Sequence, residues 1–216
     1  MDTTTTLDSF TAKWRARWPE WALAKAFVPV AQRELVTAWF ALLQELTDAA
    51  WGGSDPAPGL AKLAWWQQEL AGWARGGYRH PLGAVLQARL LPWADLAHSL
   101  PSLQASRTRP LDPSPEAPAA FAGAVAACER ALFGPSDAPP VAAADVAVVL
   151  DSLHGEHRLF HPDAASVAAA DAVQKQAATR YRRIHASLIR ARLPRPGKPL
   201  PPWRALLIAW RSARGR

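Results

Sequence analysis

The chain has 216 residues, of which 50% are hydrophobic and 20% charged, with 11 Trp, 20 Pro and a net charge of +7; this is enough chain to bury one sizeable core, occasionally two, and the balance excludes a disordered polyelectrolyte. Cys128 is the only cysteine and excludes an internal disulfide, while the opening MDTTTTLDSF has neither the charged nor the apolar region of a secretory leader. No stretch approaches the roughly 18 apolar residues of a spanning helix, so a soluble cytoplasmic protein is expected, with peripheral contact at the inner membrane face as an option.

The charge is unevenly placed. Residues 1–171 carry 13 Lys+Arg against 18 Asp+Glu, whereas residues 172–216 carry 12 Lys+Arg and no acid. An anionic partner is therefore expected to meet the C-terminal fifth.

Apolar spacing predicts an all-α chain. A first amphipathic segment, Leu7–Trp18, stops at Pro19, and Phe27–Pro29 is a break. The clearest long helix is Ala31–Trp51, with Leu35, Val36, Trp39, Leu42, Leu43 and Leu46 at helical spacing. Gly52, Gly53, Pro56 and Pro58 end it. A helix from about Leu60 to Arg75 stops at Gly76-Gly77; Pro81 then opens one to about Leu91, and Trp93–Leu100 forms another. Residues 101–118, with five prolines, read as a surface connector. Ala119–Phe133 and Val141–His154 follow as helices, the second with strand-like character at Val146–Leu150. Asp163 is an expected N-cap for a long helix towards Leu193. Two parts are thus expected: a helical body, 1–192, and a Pro-rich hinge with a basic amphipathic helix, 193–216.

Within Phe27–Leu86 the strings FVPVAQRELVTAWFALLQELTDAAW and KLAWWQQELAGWARGGYRHPLGAVL resemble the start of the squalene/phytoene synthase family. Three elements occur in the family's order: a small-and-apolar helix at the place of an Asp motif, a helix of the form WW-x-x-EL, and a His-Pro-Leu helix start. The resemblance covers about a quarter of the chain well and implies a shortened all-helical isoprenoid synthase bundle. It also implies chemistry, the head-to-head condensation of prenyl diphosphates. Magnesium held between two Asp-x-x-x-Asp walls neutralises the leaving diphosphate.

The chain departs from that pattern. Gln44, Glu45 and Asp48 stand at the first Asp motif, and Ala119–Arg216 contains no two acids four apart with an Arg-rich loop after them. The resemblance is thereby closer to the family's eroded branch, which includes a mitochondrial complex I assembly factor. A non-catalytic binding or assembly module at a membrane surface is expected. The alternative is a magnesium-dependent prenyltransferase using Glu45 and Asp48, with Asp48 the candidate metal ligand and basic residues replacing the second metal cluster.

Several residues carry these readings, each beside a plainer one. Glu34, Thr37, Ala41, Glu45 and Asp48 form either a cavity wall or the solvated face of their helix. Trp66, Glu69 and Trp73 share a face that either lines a groove for an isoprenoid diphosphate or lipid or packs in the core. Arg79 and His80, before Pro81, could hold a phosphate at a helix start or simply cap it. His154, His157 and His161 with Glu156 sit in what reads as a loop and match no metal-site spacing. In the tail, Arg180, Arg182 and Arg183 fall within one turn. Trp203, Leu206, Leu207 and Trp210 then share a face, with Arg204, Arg211 and Arg214 outside it. That is the pattern of a helix lying on an anionic membrane, or of a terminal helix burying its Trp against the bundle or a protein partner. Nucleic acid ranks last, because no recognition motif accompanies the charge.

Overall fold

Helix packing is organised around one element. The computed structural model describes residues 3–108, 118–135, 137, 139–161 and 178–215. Among them it has ten α-helices and no strand. They are α1 (Thr3–Arg17), α2 (Trp21–Ala24), α3 (Arg33–Trp51), α4 (Ala57–Trp73), α5 (Gly83–Leu86), α6 (Trp93–Ala105), α7 (Ala119–Phe133), α8 (Ala143–Phe160), α9 (Arg180–Arg192) and α10 (Pro202–Ala213). Helix α3 is the hub: it packs against α1, α4, α5, α6 and α8. It is buried on nearly every side because small residues (Ala38, Ala41, Ala49, Ala50) alternate with Trp39, Leu42, Leu43 and Leu46. A helix apolar all round belongs in a core. From α6 onward each helix packs on the next, α6 on α7, α7 on α8, α8 on α9 and α9 on α10.

Two glycines set close approaches. A Cβ on Gly59 would lie 2.2 Å from the carbonyl oxygen of Ala49, so α4 starts hard against the end of α3. A Cβ on Gly155 would lie 2.6 Å from Ile189, which lets α8 and α9 touch. Gly155 is therefore a packing residue inside α8, and the loop expected around it is absent; α8 runs on to Phe160.

Other boundaries move for identifiable reasons. The helix expected from Pro81 to Leu91 is reduced to Gly83–Leu86 within a series of turns. The first part of the connector expected over 101–118 is helical: α6 continues through Pro101 to Ala105, and a 3₁₀ turn covers Ser106–Thr108, while residues 109–117 lie outside the described residues. Leu103 and Ser106 are buried there, and Arg107 donates to the carbonyls of Ala50 (2.8 Å) and Gly52 (3.0 Å). Tertiary contacts hold what the prolines alone would have released. Asp163 and residues 164–177 of the helix expected after it lie outside the described residues. The described helix, α9, starts at Arg180 with Thr179 as its cap.

The C-terminal segment is docked. The Glu20 carboxylate accepts from the Leu200 N–H (2.9 Å) and from Arg192 (3.3 Å), fixing the approach to α10. Helix α10 then packs on α9 and α2.

Candidate functional site

Glu45 and Asp48, the carboxylates that the resemblance sets at its first Asp motif, are both paired with cations of the protein. Glu45 on α3 is buried, and its two oxygens face Lys13 of α1 (3.4 Å) and Lys62 of α4. Asp48, one turn on, accepts both guanidinium N–H groups of Arg17 at 2.8 Å each. Burial pushes the Glu45 carboxyl up, but Lys62 and Lys13 outweigh it and hold the group below its ordinary value. Of the expected acidic stripe, Ala41 and Glu45 are buried, Thr37 and Asp48 are partly so, and only Glu34 is exposed. The stripe is neither a solvated face nor an open wall. It is the seam between α1, α3 and α4.

Glu69 explains the pairing of the WW-x-x-EL helix with the His-Pro-Leu turn. One carboxylate oxygen accepts from the backbone N–H groups of Arg79 (2.6 Å) and His80 (2.8 Å) and from the Trp73 indole (2.9 Å). The other accepts from the Arg79 side chain at 2.9 Å. Burial alone would raise this carboxyl, yet those four donors hold it at about 2. His80 packs its ring on Trp66 (4.6 Å) and Phe10 (4.4 Å), and its Nδ1 accepts from the Leu82 N–H. Desolvation, partly offset by Glu45 and Glu69, holds His80 neutral down to about pH 4. Trp66, Glu69, Arg79 and His80 are brought together, and Glu69 ties the turn at Arg79-His80 to α4 as a clasp while Trp66 packs on the His80 ring.

Where facing helices might have left a cavity, the bundle centre holds a buried polar network that the sequence reading did not single out. Glu129 of α7 pairs with Arg182 of α9 and accepts from the Trp39 indole (2.9 Å); Arg182 also donates to Ser152 (3.0 Å) and lies over the Phe40 ring. Beside it, His185 accepts from Trp21 at Nδ1 (3.1 Å), which places its proton on Nε2, facing Glu156 (3.2 Å). Trp18 donates to the same carboxylate at 2.9 Å. Burial pushes His185 down, and Glu156 is held below its ordinary value despite its own burial by His185 and Trp18, so a neutral imidazole faces a carboxylate. The aromatic residues around it (Trp14, Trp18, Trp21, Phe40) are visible in the sequence, but Glu129, Glu156, Arg182 and His185 come from three different helices and no local spacing links them.

This corrects the expectation for the tail arginines. Arg182 is fully buried and cannot meet an external anion, and Arg192 is buried against Glu20. Arg180 and Arg183 instead line a cleft of about 600 Å³ with Arg130 and Asp145. His154 and His157 lie on α8 against Trp51, and burial pushes both below the ordinary imidazole value. Among the described residues no group of three His, Cys, Asp or Glu is placed to hold a metal ion.

Magnesium does not fit the residues present. Each oxygen of Glu45 and Asp48 already faces a protein cation, so an added dication would meet Lys13, Lys62 and Arg17. Asp145 is bound to Arg130 and the N–H groups of Ala142 and Ala178, and Asp151 to Arg190. No opposing acidic wall remains among the described residues.

On α10 the burial pattern runs opposite to size. Ala205 and Ala209 face the bundle, while Trp203 is 68% exposed, Leu206 44%, Leu207 37% and Trp210 39%. The alternative in which this helix buries its tryptophans against the bundle is excluded. Comparison with protein-family models, curated proteins and solved structures finds no match to this chain.

Proposed function

We propose that this protein is a non-catalytic binding or assembly module on a shortened bundle of the squalene/phytoene synthase type. The observation that carries the reading is the internal neutralisation of Glu45 by Lys13 and Lys62 and of Asp48 by Arg17. A prenyltransferase needs those oxygens free, because a diphosphate leaves only when metal ions take up its charge. Here the same oxygens hold α1 and α4 to α3, and Glu69 and His80 hold a turn. The carboxylates on the helices the resemblance points to hold helices together.

A second reading has one observation in its favour. A cleft of about 530 Å³ beside the Asp48–Arg17 pair is lined by Lys62, Gly52, Gly53 and His161 and could admit a diphosphate to Arg17 and Lys62. A turnover assay with magnesium and farnesyl or geranylgeranyl diphosphate separates the two. The binding-module reading expects no pyrophosphate release. Product that forms with the wild type and disappears in Asp48→Ala would overturn it and leave a transferase.

A further inference from the structure

We infer that α10 is a membrane-contact helix that lies in the headgroup plane of an anionic lipid bilayer; this names a partner for the binding module proposed above and rests on that reading. At about 100° per residue, Trp203, Leu206, Leu207 and Trp210 make one stripe, and Ala205 and Ala209 lie on the opposite side. The alanine side is the docked one, with both residues buried against α9 and α2. The large apolar side chains therefore point away from the bundle on a helix that is itself held in place by Glu20, Arg192 and the Leu200 N–H. The stripe amounts to roughly 400 Å² of apolar surface, taking ~200 Å² for a whole indole, which is the size of the largest patch on a typical monomer, a patch that is often functional.

Charge selects the occupant. Arg204 and Arg211 run along one flank of the stripe, and Arg214 closes its end with its guanidinium 4.2 Å from the Trp210 ring. No acid occurs anywhere after Asp171. A second copy is a poor occupant, because the stripe is about half of the ~800 Å² that each partner buries in a stable dimer and would bring the arginines towards their own copies. A bilayer suits each part: Trp rings settle at the headgroup level, arginine stems lie along apolar surface with their charge in water, and anionic lipids answer the unbalanced charge. No described helix is long and apolar enough to cross a membrane. The 12 residues of α10 therefore lie along the surface.

The test is flotation of the full chain with vesicles of phosphatidylcholine alone and of phosphatidylcholine mixed with phosphatidylglycerol, at low and high salt. The wild type is expected to float with the mixed vesicles, weakly with phosphatidylcholine, and less as salt rises. Arg204→Gln/Arg211→Gln should weaken binding to mixed vesicles by about fivefold per charge removed, and Trp203→Ser/Trp210→Ser should abolish it. Both variants alter exposed side chains and should keep the wild-type denaturation midpoint, which is measured in parallel. Absence of the wild type from all vesicles, or unchanged flotation of the Trp variant, overturns the inference. So does capture by an acidic protein without vesicle binding. Pyrophosphate release on the same samples reports separately on the binding-module reading, so either can fail alone.

Discussion

The α1–α3–α4 seam and α10 treat the same residue types in opposite ways. At the seam, Lys13, Arg17 and Lys62 are matched to Glu45 and Asp48, and the aromatic side chains nearby, such as Trp66, are buried. On α10, Arg204 and Arg211 have no carboxylate partner among the described residues, and Trp203 and Trp210 stand in solvent. Charge spent inside a protein fixes helices relative to one another, whereas charge left unmatched beside exposed indoles is available to something outside. The central network makes the first half of this statement most strongly, since Arg182 and Glu129 have no access to water.

That contrast is easiest to break at its buried extreme. Arg182→Ala removes the cation paired with Glu129 in the core, and should cost about 3–5 kcal/mol of stability. A denaturant titration reads this directly, and a loss below about 1 kcal/mol would mean that the network is not structural. Next comes acid sensitivity. His80 titrates near 4 in the folded chain against 6.5 in the free side chain, so its contribution is complete above pH 6.5 and is lost as pH falls towards 4, amounting to about 3 kcal/mol. Glu69, at about 2 against 4.5, adds a further loss below pH 4.5. The stability–pH slope between pH 6.5 and 4 should therefore become shallower in His80→Gln, and an unchanged slope would assign it to other groups such as His157.

Smaller effects sharpen the comparison. Asp48→Asn breaks a half-buried bidentate pair and should lower stability by about 1 kcal/mol. A gain in stability would show that Asp48 is held under repulsion, as a metal ligand without its metal would be. Trp203→Ser should change stability by no more than about 0.5 kcal/mol, the range for exposed positions. A loss of several kcal/mol would mean that the stripe of α10 is covered by the protein itself.

Much of the fold was legible. The α3 periodicity picked out Leu35, Val36, Trp39, Leu42, Leu43 and Leu46, all of them buried, and α7 runs over the expected Ala119–Phe133. Trp66 and Glu69 on one helix and Arg79-His80 before the next were legible only as separate features; that Glu69 reaches across to the Arg79 and His80 N–H groups was not. Boundaries failed where a distant side chain supplied the stabilisation: Arg107 reaching back to Ala50 and Gly52 keeps the residues after Pro101 ordered, and Ile189 gives Gly155 a packing role inside a helix.

By itself the sequence determined the helical class, the hub helix, the want of a second pair of acids and the concentration of positive charge after residue 171, because each depends on spacing or composition within one segment. Only the tertiary structure decided which charges are used up. Arg182 and Arg204 belong to the same basic tail, and Trp66 and Trp203 are the same side chain. Whether such a residue is buried and paired or exposed and free depends on what another helix brings within about 3 Å of it, and no local pattern encodes that distance.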